Sequence, residues 1–158
     1  MLRPAINNIL KLFAIMLAFT LSFNSYAESS VTVKNPYARA VPAGQANSAA
    51  FMVLKNTSNQ DRAVVNARSN ASKVVELHTH KKEGGMMRMR RIKQIDIKAG
   101  GETVLKPGGL HVMFIGLKQA VNPGDEVDLE LVFDDGSKIK LMVPVKVVAG
   151  MMKKMPKH

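Results

Sequence analysis

The 158-residue chain has no cysteine and no tryptophan, and only 6 Phe and 2 Tyr. Without thiolates it can form no disulfide, zinc ribbon, iron–sulfur cluster or blue-copper centre, and it has no thiol nucleophile. Acidic side chains are scarce: 12 Asp and Glu stand against 23 Lys and Arg. The N-terminal apolar run, Leu12 to Phe23, falls well short of the roughly 20 residues a membrane-spanning helix needs. Against these shortages stand 11 methionines. With 46% hydrophobic and 22% charged residues the composition is that of one folded domain, too short for two.

Residues 1–27 have the features of a secretory signal peptide. Arg3 and Lys11 supply positive charge around the start of the apolar run, and Ser25-Tyr26-Ala27 puts small residues at the two positions a signal peptidase reads. Cleavage after Ala27 would leave a periplasmic protein with 21 basic and 12 acidic residues, net charge +9, and no stable membrane insertion. No cysteine follows the run, so a bacterial lipid anchor is not expected. The basic balance could suit nucleic acid, anionic lipid or an acidic protein. Nucleic acid is not expected outside the cytoplasm, and no basic-plus-aromatic stacking pattern occurs.

From Val31 to Val148 the pattern is short β-prone runs between turn residues. Val31-Thr32-Val33 opens the first, and Pro36 and Pro42 bracket a second extended piece. Strands are expected over 49–55, 62–68, 74–80, 86–92 and 110–117. Two more, 125–133 and 138–147, flank the hairpin signal Asp134-Asp135-Gly136-Ser137. No helical apolar stripe is sustained. The reading is an all-β antiparallel sandwich or barrel over residues 28–149. Residues 150–158, Met-Lys-rich and ending in His158, form a tail without a core-forming pattern.

Three strand segments carry metal donors at period-two spacing: His78 and His80, Met87 and Met89, and His111 and Met113. Alternation puts each pair on one face. Thioether sulfur is soft and neutral and selects Cu(I), and imidazole also binds copper. Hard cations would want carboxylates, and zinc would recruit Cys, Asp or Glu. The donor set therefore indicates Cu(I). The plainer reading is ordinary core, with Val74, Val75, Leu77, Phe114 and Ile115 around these positions and Met52 and Met142 as core filler.

His78, ten residues, Met89, twenty-one residues, His111, one residue, Met113 resembles the ligand pattern of the periplasmic copper chaperones called PCu(A)C. Similar text surrounds it: Val75-Glu76-Leu77-His78, Met87-Arg88-Met89-Arg90, Lys106-Pro107-Gly108-Gly109-Leu110-His111-Val112-Met113, and Asn35-Pro36-Tyr37-Ala38-Arg39 near the start. The resemblance implies a cupredoxin-like Greek-key β-barrel or sandwich, with one Cu(I) held by His78, Met89, His111 and Met113. It further implies delivery of copper to the dinuclear copper centre of cytochrome oxidase, with the receiving oxidase subunit, a Sco-type protein or both as partners. The protein is expected to be a monomer and not an enzyme.

His80 could replace His78, and Met86 or Met87 could replace Met89. Glu76, on the face of His78 and His80, is expected to be a supporting or surface carboxylate. Met151, Met152, Met155 and His158 offer a weaker second site that could take Cu(II) through His158. The basic 81–91 segment should favour an acidic docking surface. Two other functions are compatible with the sequence: a secreted metal-free adhesion module, and general copper storage or resistance. A copper electron carrier would need the thiolate this chain lacks.

Overall fold

The computed structural model describes residues 29–148. The signal peptide and the tail donors Met151, Met152, Met155 and His158 lie outside the described residues. The described chain forms ten strands and no helix. These are β1 (Val31–Arg39), β2 (Asn47–Asn56), β3 (Arg62–Arg68), β4 (Ser72–Glu83) and β5 (Met86–Arg91), followed by β6 (Ile95–Ile97), β7 (Glu102–Leu105), β8 (His111–Leu117), β9 (Glu126–Phe133) and β10 (Lys138–Lys146).

The hydrogen-bonded order is β5-β4-β8-β2-β1-β10-β9-β3-β6, with β7 against the C-terminal half of β2. The chain crosses repeatedly between two layers, β5-β4-β8-β2-β1 and β10-β9-β3-β6, as Greek-key connections do. The path is open, with β5 and β6 at its ends, so the fold is an open sandwich rather than a closed barrel. All pairings between the strands are antiparallel except β1 with β10, which runs parallel and joins the layers.

Alternation explains the core. Met52 and Leu54 of β2, Leu77 of β4, Val112 and Phe114 of β8, and Leu129, Leu131 and Phe133 of β9 are all buried inward. Burying each such side chain is worth about 1.5–3 kcal/mol. Met142 departs from the expected core: its side of β10 faces water and it is 55% exposed. Val74 is likewise exposed.

The expected break near Pro36 is a bulge inside one strand. The β1–β2 register shifts between Lys34 and Tyr37, where Asn35 takes φ +49°. Asn tolerates that left-handed conformation, and proline is accepted where a ladder donor is not needed. The extra residue turns Tyr37 outward beside Phe51. Strands β6 and β7, three and four residues long, are too short for alternation to reveal.

Asn56 ends β2 as a fully buried polar anchor. Its Nδ2 donates to the carbonyls of Gln60 (2.7 Å) and Ile97 (3.3 Å), and its Oδ1 accepts from the Ser58 N–H and hydroxyl. Asn56→Ala removes all four bonds and leaves buried groups unpaired, so it should cost about 2–3 kcal/mol. Urea denaturation measures this; a loss below about 0.5 kcal/mol would show the anchor to be dispensable.

Candidate metal centre

The donors gather on the outward face of the β5-β4-β8-β2-β1 layer, opposite the core. Register fixes which side chains are neighbours, because directly paired residues share a face. His111 of β8 pairs with His78 of β4, and Met113 pairs with Glu76. His80 pairs with Met89 of β5, Lys82 with Met87, and His78 with Arg91. On the other side Met113 pairs with Ala49 of β2. Adjoining rows therefore run Tyr37-Phe51-His111-His78-Arg91 and Ala49-Met113-Glu76, with His80 and Met89 beside them. Arg39 lies one residue past the Ala38–Ala50 pair, next to Ala49.

This outward face is covered where the donors sit. His111 is 2% exposed, and Ala49 and Phe51 are also buried. The cover is the loop from β7 to β8. Lys106-Pro107-Gly108-Gly109 is a tight turn in which the Gly109 N–H donates to the Lys106 carbonyl (3.0 Å), with Gly108 at φ +79°. Proline followed by a residue of positive φ is the type II pattern, which calls for glycine at the third position. Beneath the loop is a hollow of about 220 Å³ lined by Arg39, Ala49, Phe51, His80, Met89, Pro107, Gly108, His111 and Met113. A wider groove of about 500 Å³ beside β3, lined by Asn66, Glu76, Arg91 and Lys93 among others, brings no histidine or methionine together.

The turn also sets the tautomer of His111. Its Nδ1–H donates to the Gly109 carbonyl at 2.9 Å, leaving the Nε2 lone pair free. That Nε2 is buried without a hydrogen-bond partner. Burial holds the His111 pKa below the usual imidazole range, the Gly109 bond opposes this, and the proximity of the His80 and His78 rings and the Arg39 guanidinium lowers it further. His111 is thus neutral and able to ligate at pH 7.

His78 shows the mirror arrangement. Its Nε2 lies 2.8 Å from Glu76 Oε2, and its Nδ1 is buried and unpartnered. Glu76 also meets Arg91 at 3.4 Å. Glu76 thereby orients the His78 ring through Nε2, the arrangement that carboxylates adopt behind metal-binding histidines.

The structure brings His78, His80, Met89, His111 and Met113 onto one face. His80, not His78, is the β4 histidine lining the hollow, with its Nδ1 3.5 Å from the Gly109 carbonyl. Its ring centre is 5.3 Å from that of His111, against 5.8 Å for His78. Met87 lies farther out toward the β4–β5 turn and is 58% exposed, and Met86 points to the opposite face. Among the described residues no three His, Cys, Asp or Glu side chains converge to hold a metal by themselves. Met89 and Met113 add soft thioether donors to the imidazoles on this face. Arg39 is the residue that sequence reading missed as part of the hollow; only the β1 bulge brings it to this face.

Residues 31–145 match the family model described as "Putative lipoprotein LpqE-like". "Putative lipoprotein Lxx21020" of Leifsonia xyli subsp. xyli is 38% identical over 109 residues, 68% of this chain and 66% of that one. Protein RP573 of Rickettsia prowazekii is 32% identical over 125 residues, 77% of this chain and 68% of that one. The chain thus spans about two thirds of the length of these curated relatives. Among solved structures, Cu(I)-DR1885 of Deinococcus radiodurans is 32% identical with TM-score 0.64, covering 79% of this chain and 85% of that one. The copper-bound PCuAC domain from PmoF2 superimposes with TM-score 0.65 at 19% identity, covering 78% of this chain and 97% of that domain. The chain belongs to the LpqE-like family, and its cupredoxin-like all-β fold is that of the PCu(A)C domains.

Proposed function

We propose that this protein is an extracytoplasmic copper chaperone that carries one Cu(I) on the outward face of β4, β5 and β8 and passes it to a recipient. The observation that carries the reading is a pair of buried imidazole nitrogens without partners, His78 Nδ1 and His111 Nε2, on the same face as Met89 and Met113. Leaving such nitrogens buried and unpaired costs about 1–3 kcal/mol each, a cost that a bound ion removes. His111 and Met113 supply one nitrogen and one sulfur, Met89 the second sulfur, and His78 the fourth donor through Nδ1. The copper-bound structures of DR1885 and of the PmoF2 domain, and the lipoprotein names of the relatives, support the same reading.

Imidazole and thioether bind metals as neutral ligands, so binding adds one positive charge and releases no proton from a thiol. Such a site binds and transfers. For the recipient we propose a copper subunit of cytochrome oxidase, reached alone or together with a Sco-type protein.

Anaerobic Cu(I) competition titration tests the site. His111→Ala and Met113→Ala should each weaken affinity beyond the roughly 10–100-fold typical of losing a mere supporting partner. His78→Ala should cost more than His80→Ala; the reverse ranking would move the fourth ligand to His80. Unchanged affinity in both the His111 and Met113 variants would remove the site altogether.

A second expectation concerns the turn. Gly108→Val forces a β-branched residue to φ +79° and should displace the Gly109 carbonyl that holds His111. Cu(I) affinity should fall about 10-fold although no ligand is altered. Equal affinity, with the fold intact by circular dichroism, would show that the turn does not position His111.

A further inference from the structure

Arg39 stands in the hollow without a partner. It lines the same 220 Å³ space as Met89, His111 and Met113, and its Nε is buried with no hydrogen bond. No ion pair among the described residues uses it. The carboxylates this register puts on the outward face are already engaged, Glu76 by His78 and Arg91 and Glu102 by Lys34. Keeping an unpaired guanidinium N–H against Ala49, Phe51 and Pro107 costs solvation, and a cation beside a bound cation opposes copper binding. Neither serves the resting site. Both become useful if an anion enters.

The entering group must also be a copper donor. Carboxylate oxygen is hard and suits Mg, Ca and Mn, whereas thiolate is both anionic and soft. A guanidinium also favours the thiolate over the thiol. We propose that Arg39 receives the thiolate of the recipient protein during transfer, so that this site serves a cysteine-bearing copper acceptor. The inference rests on the copper reading above.

In the step, the acceptor thiol gives its proton to water and an electron pair of the sulfur forms a new Cu–S bond. The Cu–S bond to Met89 then breaks, Met89 being the ligand on the edge strand and 41% exposed. Copper remains Cu(I) throughout, and the methionine leaves neutral. Arg39 is a positioning residue: its N–H donates to the incoming sulfur and it never binds the metal.

The test compares the full chain with Arg39→Gln and Arg39→Lys, loaded with Cu(I). Transfer is followed to a Cys-x-x-Cys peptide and to a neutral Met-rich peptide, with equilibrium affinity measured separately. Arg39→Gln should slow transfer to the cysteine peptide roughly 10-fold or more. Transfer to the methionine peptide should not slow, affinity should hold or rise, and Arg39→Lys should recover much of the rate. An unchanged cysteine rate, or equal slowing with both peptides, overturns the proposal. In copper-free protein the Arg39 Nε–H resonance should shift saturably with thiocyanate, a soft anion; no shift also overturns it. If wild-type protein fails to bind Cu(I), the copper reading falls by itself, and this copper-free measurement still decides whether Arg39 receives an anion.

Discussion

The antiparallel seating of β8 between β2 and β4 is the constraint on which both core and site depend. In one register Val112 and Phe114 point into the sandwich while His111 and Met113 point out beside His78 and Ala49. A slip of one residue would send the donors into the apolar interior and the core side chains to the outer face. Apolar burial of Phe114 and Val112 therefore fixes His111 and Met113 as well, although neither contributes to that inner core. The same pairing buries β2 on both faces from Ser48 to Met52. The outer side of a sheet is usually solvated in antiparallel sandwiches, and here it becomes a second protected environment.

Within that environment the donors differ in how firmly they are held. His111 is buried, hydrogen-bonded through Nδ1 to the turn, and packed near Phe51 at 6.2 Å between ring centres. Met113 follows two residues later on the same interior strand. Met89 lies on β5, an edge strand with every residue exposed and neighbours on one side only. A gradient from fixed nitrogen to accessible sulfur would suit the proposed transfer, because exchange could begin at the open end while the closed end still holds.

Charge follows the same logic. Glu76 is occupied, and cations surround the site: Arg39 in the hollow, Arg91 beside Glu76, and Lys81, Lys82, Arg88 and Arg90 along the β4–β5 hairpin. Arg90 is tied to Glu83. A positive surround weakens the hold on a cation modestly and draws anionic groups toward it, with effects on encounter that are screened beyond about 8 Å at physiological ionic strength.

What sequence alone could determine was whatever follows from nearest neighbours and period. Seven strands were readable from β-prone runs and turn residues, with β3 matching at both ends, because each spans enough residues for alternation or flanking turns to register. Copper was the metal to expect because thioether and imidazole without thiolate narrow the choice before any geometry is known, and the His78–Met89–His111–Met113 spacing carried the family resemblance. Tertiary structure decided the rest. Period two states that His78 and His80 share a face, but not which face is core, so Met142 was misassigned to the interior. The short β6 and β7 exist only through pairing with distant partners. Arg39, nearly forty residues from the first histidine, enters the hollow because the bulge at Asn35-Pro36 sets its side of the sheet, and a bulge is a property of two paired strands rather than of one.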